Sequence, residues 1–282
     1  MKKLITLIMS LAVLSFTACS SASATPDSKS GLEGTKISAY LTGEYVSASE
    51  SQSRLEAAGF EVIASYQSVK KGTTLVFTND ALKSEAAKPG RAYVAALRLF
   101  VDEKEKMISF TNPVYFGKAY MQDEYNHNVF NSQLEAINNA FSGLKNSIDI
   151  VNFDDLAGYQ FMMGLPKYDD ADELAEGTNS ELISKARAYK KGKLLVFELK
   201  LSETSTLLGY DLGKRTKKFV KKIGRANAAV LPYCISIENG KAKSLEAKYY
   251  LALSYPLLSL GTFTTIATVP GAVKKDLAKA FK

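Results

Sequence analysis

The chain has 282 residues, 46% of them hydrophobic and 23% charged, an ordinary globular balance that excludes disorder and fibre. A chain of that length buries roughly 70–75% of its unfolded surface, so its core needs neither a metal nor a disulfide. The formal charge of +7 falls to +5 once Lys2 and Lys3 are removed with a leader, a mild basicity that does not mark a nucleic-acid binder.

Lys2 and Lys3 precede an apolar run of 15 residues, Leu4 to Ala18. The run is short of the ~20 residues that a membrane span needs, and it suits a secretory leader. It ends in "FTAC", Phe16 to Cys19, similar to a bacterial lipoprotein signal. That similarity implies cleavage after residue 18 and lipid on Cys19, with Phe16 standing where Leu is commoner. Ser20 after the cysteine implies sorting to the outer membrane, facing the periplasm. The alternative is an ordinary leader cut near Ala18 or Ala22, with Cys19 unmodified. Residues 19–34, rich in Ser, Gly and Ala, read as a flexible tether spanning roughly 20 Å.

Structure is expected from Lys36. "SASE", Ser47 to Glu50, is a capping box opening a helix that closes at Gly59. "EVIASYQ" and "TTLVFTN" read as strands around the turn "KKG" at Lys70. Asn79 and Asp80 cap a short helix that Pro89-Gly90 stops. "RAYVAALRLFV" reads as one long strand, and "MISFTN" follows after the turn "DEKEK". Val129, Phe130, Leu134, Ile137, Phe141 and Leu144 alternate at spacings of three and four, one face of a helix packed on a sheet.

The second half re-uses this order. "TNSE", Thr178 to Glu181, is a second capping box. "KKGKLLVF" at Lys190 repeats "KKGTTLVF" at Lys70. "RANAAVLPYCI" at Arg225 faces "RAYVAALRLFV" at Arg91, and Tyr250 and Tyr255 face Tyr115 and Tyr120. The last Ala-Phe pairs end at Phe141 and Phe281. Matches in one order, drifting only at loops, predict a duplicated unit: residues 35–150 and 151–282 as two α+β units. Each is expected to be a mostly antiparallel sheet with packed helices, the two forming an internal pseudo-dimer.

The segments "KLLVFELKLSETSTLLGYDL" and "AAVLPYCISIENGKAKSLEAKYYLALSYPLL" resemble domain-of-unknown-function family 302, and the first copy fits it more loosely. In place of that family's Gly-Asn-Pro turn stand Glu198-Leu199-Lys200 and Thr78-Asn79-Asp80. The resemblance implies a compact α+β domain that pairs with a second copy, and no established reaction.

Chemistry-bearing residues are sparse. With Cys19 lipidated, Cys234 in "VLPYCISIE" has no partner in the chain and reads as a small buried hydrophobe. His127 is the only histidine and reads as a surface residue, so no catalytic triad is predicted. On a helical wheel Leu212, Thr216, Phe219, Val220 and Ile223 share an arc, opposite Lys214, Arg215, Lys217, Lys218, Lys221, Lys222 and Arg225. This predicts an amphipathic basic helix over 214–225, either docked with solvated lysines or facing an anionic lipid or polymer. "DDADELAEG", Asp169 to Gly177, lacks the spacing of a calcium loop and reads as a solvated acidic loop or an internal partner for those lysines. The resulting expectation is a non-enzymatic envelope lipoprotein, held to the membrane by its N-terminal lipid and binding an anionic partner or a small apolar ligand. No catalytic residue, cofactor, metal or nucleic acid is assigned. The rival expectation is an enzyme working in a cleft between the units.

Overall fold

The computed structural model describes residues 30–282, so the leader, Cys19 and most of the predicted tether lie outside the described residues. Residues 30–34 already pack on the body rather than hanging free. Leu32 is half-buried, and the Gly34 amide donates to Asp154 Oδ2 at 2.8 Å. β1 (Lys36–Ser38) pairs with β8 (Ile150–Asn152). Phe153 is buried just beyond it and its amide donates to Thr35, so the first unit's packing continues past residue 150.

The fold is α+β, with antiparallel sheets. The first contains β2 (Tyr40–Glu44), β3 (Glu61–Val69), β4 (Gly72–Thr78), β5 (Leu97–Asp102), β6 (Met107–Thr111) and the short β7 (Lys145–Asn146), in the order β3-β4-β5-β6-β2-β7. The second contains β9 (Asp172–Glu176), β10 (Leu195–Lys200), β11 (Ser205–Tyr210), β12 (Tyr233–Glu238) and β13 (Lys241–Ser244), in the order β10-β11-β12-β13-β9. In each, four consecutive strands form a meander and the strand preceding them pairs with its last member: β2 with β6, β9 with β13.

Each sheet has a helix between its first two strands. α1 (Ala48–Ala57) starts where the Ser47 hydroxyl accepts the Glu50 amide, satisfying one orphan donor of the first turn. α5 (Asn179–Ala188) has the full capping box: Thr178 accepts the Glu181 amide, and Glu181 accepts the Thr178 amide. α2 (Asp80–Ala86) is capped by Asn79. α3 (Pro113–Met121) and α4 (His127–Ala140) follow β6, and the predicted apolar stripe buries Phe130, Ile137 and Phe141. α6 (Val220–Ile223) is a single turn. α7 (Ala247–Ser254), α8 (Leu260–Thr265) and α9 (Val269–Ala278) follow β13.

Three sequence expectations change. "RAYVAALRLFV" is not one strand: a 3-10 turn at Ala92–Ala95 comes first and docks on β11 and β12 of the other unit, where Tyr93 reaches Ser236 and Lys243. Reciprocally, the 3-10 turn Arg225–Val230 of the second unit docks on β5 and β6 of the first. The two "KKG" stretches occupy different places. Lys70 and Lys71 form the loop of the β3–β4 hairpin, whereas Lys190 to Gly192 join α5 to β10. Finally, 214–225 is not a continuous helix. A 3-10 turn (Thr216–Phe219) runs into α6, and Gly224 at φ 98 ends it before Arg225.

Candidate functional site

The reciprocal docking creates a polar seam. Tyr93 Oη lies 3.1 Å from Ser236 Oγ and donates to the Lys243 carbonyl at 3.0 Å. Tyr115 donates to Leu253 O at 2.8 Å, and Tyr168 to Gly90 O at 2.6 Å. The apolar rings fill the seam while their hydroxyls satisfy backbone carbonyls of the opposite unit, which a buried carbonyl requires. Burial pushes the hydroxyls of Tyr66, Tyr115, Tyr120 and Tyr249 well above the usual phenol range, so they are neutral at neutral pH.

At one end of the seam the units part around a cleft of about 710 Å³. The first unit contributes Tyr40 and Thr42 on β2, Ser109 on β6 and the loop Asn146–Asp149. The second contributes Lys222 to Gly224, Asn227, and the stretch from Tyr255 into α8. Tyr40 and Tyr255 stack, with centroids 6.2 Å apart and planes at 19°. Tyr255 is held by its hydroxyl on the Asn227 carbonyl. Ile148 and Leu257 are exposed at 78% and 55%, and they give the mouth an apolar lip.

Asp149 is the cleft's carboxylate. It is half-buried, and that burial raises its affinity for a proton above the usual carboxylate range. Its backbone is fixed: its carbonyl accepts from Ala39 at 2.7 Å, and its amide donates to Ser147 Oγ at 3.2 Å. Among the described residues its carboxylate has no ion-pair partner. Lys222 stands across the cleft but donates to the Thr265 carbonyl at 2.6 Å. Two of the cleft's serines are occupied too: Ser147 bonds Ser38 Oγ at 2.9 Å, and Ser259 caps α8. The cleft therefore brings together stacked rings, an apolar lip and one carboxylate on a fixed loop.

The predicted basic surface divides. Lys217 is paired with Asp211 at 2.6 Å, and Arg225 with the buried Asp102 at 2.8 Å. Lys222 is committed to Thr265. Lys214, Arg215, Lys218 and Lys221 are exposed. The segment's apolar members, Leu212, Phe219, Val220 and Ile223, are buried, so it docks on the protein's own body. Asp169 and Asp170 of the acidic stretch are exposed in a turn, as the loop reading expected, whereas Asp172–Glu176 is strand β9. Its Asp172 pairs with Lys274, and Glu173 and Glu176 with Lys241, so its internal partners are not the 214–225 lysines. His127 is half-buried with Nδ1 3.1 Å from Tyr125 Oη, away from the cleft. Cys234 is buried on β12.

Sequence reasoning missed Asp149 and Tyr40, because "NSIDIVN" carries no periodicity and a lone tyrosine on a strand reads as core. It also passed over Arg98, a charge inside the apolar run "ALRLFV", which is a visible signal. Among the described residues no helix is long and apolar enough to cross a membrane, and no group of three or more His, Cys, Asp or Glu could hold a metal ion. Comparisons with protein-family models, curated proteins and solved structures gave no match.

Proposed function

We propose that this protein is a lipid-anchored binding module of the bacterial cell envelope, with Cys19 as its membrane attachment and the inter-unit cleft as its ligand site. The cleft carries the reading. Its volume of about 710 Å³ falls in the ~300–1,000 Å³ range of small-molecule sites, and both units line it. Tyr40 and Tyr255 are buried against each other in its wall, so the exposed Ile148 and Leu257, beside the unpaired Asp149, favour a ligand with an apolar body and a donor-bearing or cationic head. The experiment is native mass spectrometry of the mature protein, purified gently from its source. A stoichiometric small molecule that is lost in Asp149→Asn supports the reading. Ligand retained at full occupancy by that variant, or an absence of any bound species from source material, counts against the cleft. The anchor is checked separately. Cys19→Ala should leave the membrane fraction, since two or more acyl chains are what hold such a protein stably.

A second reading rests on the four exposed cations Lys214, Arg215, Lys218 and Lys221. Next to an anionic leaflet each contributes ~1 kcal/mol, screened over ~8 Å at physiological salt. Exchanging all four for Gln leaves the Asp211 and Asp102 pairs intact. Unchanged binding to anionic vesicles at low salt would remove this reading.

A further inference from the structure

The exposed large hydrophobics of the described residues are Ile148, Ile150, Met162, Met163, Leu257 and Leu260. Apolar side chains exposed one by one are ordinary on a protein surface, whereas a cluster of them marks a contact. Four of these belong to two neighbouring segments. Leu257 leads into α8 and Leu260 opens it, while Met162 and the 99% exposed Met163 form the tip of the loop before β9. Phe161, beside that tip, stacks on Phe263 of α8 with centroids 5.7 Å apart and planes at 25°, which draws the two segments together. The Tyr159 hydroxyl fixes the base of the loop by donating to the Ala252 carbonyl at 3.0 Å. Ile148 joins them at the mouth of the cleft, which it lines together with Leu257.

Both segments are uncharged: residues 157–166 and 256–273 contain no Asp, Glu, Lys, Arg or His. Cations stand beside them. α6 packs on α8, where Lys222 donates to the Thr265 carbonyl at 2.6 Å, and Lys218 and Lys221 are exposed on the same short helical stretch. The neighbouring acids are engaged internally, Asp211 with Lys217 and Asp276 with Lys279 and the Gly213 amide. The surface is thus apolar with a basic border. A bilayer complements both parts, because its acyl boundary accepts the apolar groups and its lipid phosphates meet the ammonium groups above them. A second copy of the chain is a poor match, since a two-fold contact would set the basic border against itself.

We propose that this apolar face inserts into the headgroup layer of a phospholipid bilayer and seats the mouth of the cleft on the leaflet. The inference rests on the reading of the exposed cations as lipid-facing and extends it: the cations steer the body, and the apolar side chains enter the lipid. On the cleft reading above, an amphiphile with a cationic head then passes between leaflet and cleft over the Ile148 and Leu257 lip. Weak affinity suffices, because a tethered body meets the leaflet as an intramolecular event. The contact is reversible, so the lipid on Cys19 remains the attachment that survives washing.

The test uses the mature chain carrying Cys19→Ala, so that only the body can bind, and vesicles of phosphatidylethanolamine and phosphatidylglycerol. The chain has no tryptophan, so Met163→Trp supplies a single reporter at the loop tip. Its emission should shift to the blue on vesicles and be quenched by lipid brominated on the acyl chains. The emission of Ser53→Trp, exposed on α1, should do neither. Met162→Ser, Met163→Ser and Leu260→Ser together should lower vesicle affinity about tenfold or more. None of the three lines the cleft, so loss of this contact is separable from loss of the cleft's ligand. The proposal is overturned by a Met163→Trp emission that brominated lipid leaves unquenched, by unaltered affinity in the triple Ser variant, or by a body that binds no vesicle at low salt. Dimerisation in solution that the triple Ser variant abolishes also overturns it, by assigning the face to a second copy. Exchanging Lys214, Arg215, Lys218 and Lys221 for Gln tests the cations separately. If that variant binds as before and its loop tip is still quenched, the cation reading falls and the insertion stands.

Discussion

Replacing Arg225 by Met should cost far more stability than its place in a row of surface-looking cations suggests. Its Nε donates to both oxygens of Asp102, at 3.0 and 2.8 Å, and its Nη2 to the Lys71 carbonyl at 2.6 Å. The Asp102 side chain is fully buried, while Arg225 keeps 22% of its side chain in water. Removing one partner of a buried pair leaves a desolvated charge and costs ~3–5 kcal/mol. Two features reduce that figure. The amides of Lys104 and Glu105 still donate to Asp102 Oδ1, at 2.9 and 3.1 Å, and water can follow the exposed edge of Arg225. A loss of about 2–4 kcal/mol is therefore expected, or a fall in Tm of roughly 5–15 °C for a chain of this size. Urea unfolding of Arg225→Met, Asp102→Asn and the double variant would measure it, with the coupling read from the cycle. The control is Arg54→Met. Its i,i+4 pair with Glu50 is 40% and 55% exposed, and it should lose no more than ~0.5 kcal/mol. A loss below ~1 kcal/mol for Arg225→Met, or one no larger than the control's, would refute the idea that this pair clamps the units.

Tyr93→Phe removes two contacts across the seam, to Ser236 Oγ and Lys243 O, and should destabilise by about 1–2 kcal/mol without changing the denaturant slope. Thr178→Ala opens the capping box of α5 and should cost about 1 kcal/mol, which Thr178→Ser should largely restore. Asp149 is desolvated in the folded state, so its folded pKa lies above its unfolded value. The native state then binds the proton more tightly, and stability falls as pH rises through the interval between the two. Asp149→Asn should accordingly raise Tm at neutral pH, with the gain vanishing once pH drops below the ordinary carboxylate range. A thermal melt series across pH checks this, and a gain that persists in acid would contradict the desolvation cause.

What could be read from the sequence was whatever depends on neighbours along the chain. The caps at Ser47, Asn79 and Thr178 depend on residues three positions apart, and the stripe from Phe130 to Phe141 on helical spacing. The α+β class follows from such local signals. The basic wheel failed because a wheel assumes an unbroken helix. The 3-10 start at Thr216 and the left-handed Gly224 break the assumption and turn Arg225 inward to Asp102. Arg98 and the tyrosine hydroxyls escaped for a different reason. Their roles come from partners on the other unit, such as Leu253 for Tyr115 and Pro232 for Arg98, more than 100 positions away.

The repeated "KKG" shows how far a match of letters is from a match of position. Gly72 is a glycine because a Cβ there would lie 2.7 Å from the Phe100 ring on the next strand; its neighbour Lys71 carries the left-handed turn at φ 55. Gly192 is a glycine because its own φ is 73, following Lys190 and Lys191 in the same left-handed region. Packing demands the first and backbone conformation the second, so the stretch recurs in two different connections. The shared strand order is independent of that match, since it comes from which strands exchange hydrogen bonds. So is the reciprocal docking of Ala92–Ala95 and Arg225–Val230 on the opposite sheets. Because each unit carries part of the other's core, neither turn is buried unless both units are folded. The Arg98 charge and the Asp102–Arg225 pair are therefore dehydrated in the same event that closes the floor of the cleft. Stability of the seam and geometry of the cleft should move together, and a variant that loosens one should loosen the other.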